Sequence, residues 1–88
     1  MKHLVKSWTF LFEPIYSGAK THDLRILDRE YAVGDVLVLQ EYDYGAKKYT
    51  GRETEAEITF ITSAANACAF SPVALHPKFG ILSIRKLA

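Results

Sequence analysis

Only one cysteine, Cys68, occurs in the chain, so neither an intrachain disulfide nor a C-x-x-C metal pair is available. An excess of charge of one sign is also missing. Eleven Lys and Arg against ten Asp and Glu leave a formal net charge of +1. Any affinity for nucleic acid therefore has to come from a local patch rather than from a polycationic chain. The longest apolar runs, such as "VLVL" and "ANACAF", fall far short of a membrane span. The opening "MKHLVKSW" has no signal-peptide core, so a cytoplasmic protein is expected. His3, His22 and His76 lack metal-ligand spacing and read as surface or packing residues. Repeats, low-complexity tracts and linkers are absent too.

What is present is rings and alternation. Five Tyr, five Phe and Trp8 sit in a chain of 88 residues that is 49% hydrophobic, enough for one domain over residues 1–88 whose core leans on large side chains. Leu4 and Val5 read as a short first strand. Trp8, Leu11, Phe12 and Ile15 recur at helical spacing, with Ser7 or Thr9 as N-cap and Gly18 as the stop. Pro14 requires that helix to be short or to hold the proline in its first turn. Trp8 reads as core or, at a helix start, as the wall of a cleft.

From residue 22 the period becomes two. In "HDLRILD", Leu24 and Ile26 alternate with Asp23, Arg25 and Leu27, a strand with two distinct faces. "DREYAVGD" is a turn carried by Gly34-Asp35, with the acid structural. "VLVLQEYDY" is a strand buried on both faces at its start, and "GAKK" breaks it. "EAEITFIT" alternates again, with Ala56, Ile58 and Phe60 opposite Glu57, Thr59 and Ile61. Residues 63–78 carry Pro72 and Pro77 without a clear period and read as a loop or a single short helical turn, whether a lid or a plain surface loop, with Cys68 as a small buried hydrophobe. "FGILSIRKL" is the last strand. About five strands and one or two short helices give an α+β fold, a small β-barrel or half-barrel.

The order of motifs is more telling than any one of them. "GAKTHDLR", "DREYAVGDVLVLQEYD", "YTGRE" and "FGILSIR" follow one another as in the ASCH-like domains of the PUA superfamily, and the chain resembles a group of small bacterial and phage members of unknown function. The resemblance covers residues 3–62 and the last strand, and lacks the glycine-rich stretch that members carry between them. Asp23 stands where the family has glutamate, and Pro14 where it has an ordinary helix former. The resemblance implies a PUA-like barrel whose G-x-K-T turn-strand lines a cleft for RNA or a nucleotide, without metal or organic cofactor.

The residues themselves suit that chemistry. Lys20 and Thr21 lie at a turn, and Asp23 and Arg25, two apart, share a strand face. Such a set offers both donors and acceptors to a nucleobase or phosphodiester. The bland alternative is an Asp23–Arg25 ion pair on a solvated face. A second cluster, "QEYDYGAKKYTGRE", interleaves Tyr42, Tyr44 and Tyr49 with Lys47, Lys48 and Arg52, the pairing of stacking surfaces and cations used for single strands, although Glu41 and Asp43 lower its charge. It reads equally as a hairpin whose tyrosines pack its own strands. The expected ligand-binding set is Lys20, Thr21, Asp23, Arg25, Tyr42, Tyr49 and Arg52.

Two other functions compete with RNA or nucleotide binding. Relatives in the wider group resemble amidohydrolases that deacetylate N4-acetylcytidine with a threonine, a lysine and a glutamate. Lys20 matches the lysine, Asp23 stands at the threonine position, and Glu57 is the nearest glutamate. Catalysis would then rest on Lys20, activated by desolvation or by Arg25, and on Asp23 activating water. The third reading is a protein-interaction module using exposed aromatics. Oligomeric state is open on all three.

Overall fold

The computed structural model describes residues 1–66 and 75–87. Its elements are β1 (Lys2–Trp8), α1 (Thr9–Tyr16), β2 (His22–Ile26), β3 (Val36–Asp43), β4 (Lys48–Ser63), a 3-10 turn over Ala64–Asn66, and β5 (Phe79–Lys86). The strands form one sheet in the order β1-β3-β4-β5-β2, with β1 parallel to β3 and every other pair antiparallel. The sheet curls into a half-barrel with α1 against it, an α+β, barrel-like arrangement. Among the described residues no helix is long and apolar enough to cross a membrane.

Period-two alternation places the core. His3, Val5 and Ser7 of β1, Leu37, Leu39 and Glu41 of β3, Thr54, Ala56 and Ile58 of β4, and Gly80, Leu82 and Ile84 of β5 are all buried. Phe12 and Ile15 of α1 complete the apolar cluster, each contributing about 1.5–3 kcal/mol by leaving water. The long turn before β3 is fixed from inside. Asp35 accepts from the Ala32 N–H at 3.1 Å and pairs with His3 Nε2 at 2.8 Å, and the His3 ring packs 4.8 Å from Tyr31. The acid is structural, as its turn position suggested, and His3 is its buried partner.

The structure corrects several expectations. The first strand is seven residues long rather than a pair. Neither Ser7 nor Thr9 caps the helix. Trp8 occupies the cap position without a side-chain bond, because Ser7 is already an inward strand residue and Thr9 is already helical. The helix is short, eight residues, and Pro14 falls past its first turn. The chain then turns at Gly18, whose φ of +86° is the left-handed stop expected there. Only Phe12 and Ile15 of the expected helical stripe reach the core, whereas Trp8 and Leu11 stay half exposed. In β4 a bulge between Ile58 and Phe60 inserts one residue against β5. That slip reverses the facing side chains, so Phe60 is exposed and Ile61 packs on the core, the opposite of the plain alternation. Cys68, Pro72 and the middle of the segment 63–78 lie outside the described residues.

Candidate functional site

Strand β2 is built inside out. Asp23, 7% exposed, and the half-buried Arg25 take the inward positions, while Leu24 and Ile26, each more than half exposed, face away. A strand that turns its apolar side chains to solvent and its charges inward spends burial free energy, and such departures from patterning mark sites. The charges are matched. Arg25 Nε donates to Asp23 Oδ2, and its Nη2 donates to the Lys6 carbonyl at 3.1 Å.

That last bond defines the place. β1 and β2 are the two edges of the sheet, and no ladder joins them. Guanidinium groups bridge the gap instead, Arg25 to the Lys6 carbonyl and Arg29 to the Leu4 carbonyl at 3.4 Å. Along this seam runs a cleft of about 510 Å³, lined by Lys6, Ser7, Trp8, Leu11, Asp23, Arg25, Asp28, Arg29 and Tyr31 and also by the apolar Leu4, Val5, Leu24, Ile26 and Phe79, so that both the charges and the exposed apolar side chains of β2 border it. Three cations stand there against two carboxylates, and the two acids already face arginines, Asp28 lying 3.8 Å from Arg29. Burial raises the Tyr31 phenol above its ordinary value.

The YTGR motif builds something else. Gly51, with φ of +94°, sits where the β3–β4 register breaks between Gln40 and Tyr42. The bulge brings Thr50 and Arg52 together on Glu41, which is 3% exposed. Thr50 Oγ1 donates at 2.6 Å, Arg52 Nε at 2.9 Å and Arg52 Nη2 at 3.0 Å. Arg52 also pairs with Glu13, and its guanidinium stacks 5.2 Å from Phe12 and 5.0 Å from Tyr16. Hydrogen bonds from Arg52, then from Thr50, hold the Glu41 carboxyl at about 2, well below its ordinary value, and the same carboxylates push the Arg52 guanidinium still higher.

The expected residues therefore divide. Asp23 and Arg25 line the seam cleft. Lys20 and Thr21 do not: Lys20 is tied back through its N–H to the Pro14 carbonyl at 2.9 Å, and the Thr21 carbonyl accepts from Ile84 at 3.0 Å. Arg52 is taken up by Glu41 and Glu13. Tyr42 and Tyr49 pack edge to face at 5.2 Å, with the Lys6 ammonium 4.2 Å over the Tyr42 ring, and neither tyrosine lines the cleft. Glu57 pairs with Arg85 away from it. Sequence reasoning missed Lys6, Ser7 and Arg29 as walls. The signal for Ser7 was a polar residue at an inward parity with His3 and Val5, readable once β1 had its full length. Among the described residues, no cluster of His, Cys, Asp or Glu is arranged to hold a metal ion.

Residues 2–84 match the family model described as "Domain of unknown function (DUF3850)". The chain is also similar to a protein of Escherichia phage P2 described as "Uncharacterized 12.9 kDa protein in GpA 3'region". The two are 38% identical over 64 residues, which cover 73% of this chain and 57% of that protein. The chain thus spans a little over half the length of this curated relative.

Proposed function

Since the chain belongs to the family described as Domain of unknown function (DUF3850), a description that names no activity, we propose its function from the cleft: recognition of RNA or a nucleotide-like ligand at the β1–β2 seam. The observation that carries this reading is the inward Asp23–Arg25 pair on a strand whose apolar side chains face solvent. That inversion brings the fold no apolar burial, but it offers a guanidinium donor and a carboxylate acceptor to a ligand that carries both kinds of group. Arg25 and Arg29 offer guanidinium donors to phosphate or base acceptors, and Asp23 either accepts from an exocyclic amine or keeps Arg25 aimed. We further read the fold as a PUA-like barrel of the ASCH type. The order of the motifs in the chain supports this, together with a curled five-stranded sheet carrying a helix.

The amidohydrolase reading gains no support from the geometry, because Lys20 is not among the cleft walls beside Asp23. The test of the binding reading is an amide NMR titration of labelled protein with a short single-stranded RNA at low salt. Shifts concentrated at Asp23–Ile26, Lys6 and Arg29, weakening steeply with added salt, are the expected result. An unchanged spectrum at millimolar RNA would remove single-stranded RNA as the ligand and leave modified nucleosides to be titrated in its place.

A further inference from the structure

The half-barrel leaves a group of large rings in water beside the cleft. Trp8 stands at the start of α1, 6.0 Å from Phe10 and 5.3 Å from Tyr44 of the β3–β4 turn, its ring tilted to each of the other two. Phe10 is 68% and Tyr44 66% exposed, and Trp8 is half exposed. None of them fills the core, so packing does not account for three adjacent rings on one surface. Trp8 is at the same time a wall of the seam cleft, as is Lys6 two residues before it. The rings are therefore an extension of that site, not a separate patch.

The charges around the rings select the occupant. Glu41, which weakened the cationic character of this segment in the sequence, points into the protein and is matched by Arg52. Asp43 remains on this side, but its Oδ1 accepts the Ala46 N–H at 3.0 Å and so stabilises the turn. The exposed Lys47 and Lys48 flank Tyr44 and Tyr49, and Lys6 lies over Tyr42. Farther along β4 the acids Glu55 and Glu57 are paired with Lys2 and Arg85, opposite Val38 and Val36 and well down the strand from the Tyr42–Tyr49 end. Exposed rings with lysines beside them suit a strand with stacked bases and a phosphate backbone that keeps to the lysines.

We propose that Trp8, Phe10 and Tyr44 form a stacking platform for bases that continue from the seam cleft, so that the ligand is a single strand of RNA extending beyond the cleft rather than a free nucleotide. This rests on the cleft reading given above and adds to it the length and form of the ligand.

Trp8 is the chain's one tryptophan, so its emission reports on the platform directly. The experiment titrates the whole chain with the unstructured RNA UACUACU and, separately, with adenosine and uridine 5′-monophosphates. It is repeated with a Phe10→Ala/Tyr44→Ala double variant whose amide spectrum verifies the fold. Both replaced rings are exposed, and Trp8 is kept. The RNA should quench Trp8 and bind the native chain at least about tenfold more tightly than either mononucleotide, the scale of one stacked base. The double variant should lose about tenfold or more of the RNA affinity and none of the mononucleotide affinity. Equal RNA affinity in both proteins, with shifts still at Asp23 and Arg25, would overturn the platform and leave the cleft reading standing. Absence of RNA and mononucleotide binding alike would overturn both. Ring-dependent self-association in sedimentation would then mark the patch as a protein contact.

Discussion

Arg25 Nη2 lies 3.1 Å from the main-chain carbonyl of Lys6, a side-chain bond that spans the one junction of the half-barrel where strand does not meet strand. The edge carbonyls of β1 at Leu4 and Lys6 are thereby satisfied by guanidinium groups, and the seam stays open to solvent along the cleft. A fold that closed this junction with a ladder would have no such cleft.

Removing the guanidinium should therefore destabilise the protein as well as the site. Arg25→Ala leaves Asp23 buried without its cation, a loss of about 3 kcal/mol in urea unfolding. The Asp23→Ala/Arg25→Ala double variant should recover part of that loss, because no unpaired charge remains. A loss below about 1 kcal/mol for the single variant would place the pair with ordinary surface salt bridges.

Glu41 predicts an acid limb. Its carboxyl is held near 2 in the fold against an ordinary value of 4.5. Between those values the unfolded chain binds the proton and the folded one does not. Its contribution is complete above about 4.5 and fades as pH falls toward 2. Thermal unfolding measured across that window should show Tm falling with acid, and Glu41→Gln should flatten the slope.

Arg52 separates a structural role from a ligand-binding one. Arg52→Ala removes the two guanidinium hydrogen bonds of Glu41 and should lower the urea midpoint clearly. Glu13→Ala, at the exposed end of the same network, should cost about 0–1 kcal/mol. If Arg52 serves Glu41, RNA affinity at the cleft measured well below the lowered Tm should change little. A tenfold loss of affinity in a still-folded variant would return Arg52 to the binding residues.

Two phenylalanines on one helix should behave oppositely. Phe12, fully buried, should cost about 3–5 kcal/mol on truncation to alanine. Phe10, two residues earlier and exposed, should stay within about 0.5 kcal/mol by the same chemical denaturation. A large loss at Phe10 would mean that the ring platform is held by stability, not by a ligand.

Much of this was legible from residues alone. Period two in "HDLRILD" and "EAEITFIT" and the apolar run "VLVLQEYDY" marked three of the strands, and Gly18 marked the helix end. Placing Asp23 and Arg25 on one face needed nothing beyond strand geometry. Which face was core was not legible, because alternation fixes that a strand has two faces and leaves open which one meets the interior. Pattern reasoning puts Leu24 and Ile26 inside. The fold puts them outside, where they are more than half exposed and border the seam cleft.

Bulges were the second source of difference. One extra residue at Thr59 exchanged the places of Phe60 and Ile61, and the break opposite Glu41 gathered Thr50 and Arg52 onto one buried carboxylate. Neither insertion leaves a periodic trace, since a bulge is recognised by its partner strand. Neighbours within a few positions set the alternation of the strands and put Asp23 and Arg25 on one face. The curl of the sheet makes β1 and β2 facing edges and brings Trp8 against Tyr44 across 36 residues. The tertiary structure likewise decided that Arg52 serves a glutamate instead of the cleft. Those depend on how the sheet curls, and curl is a property of all five strands together.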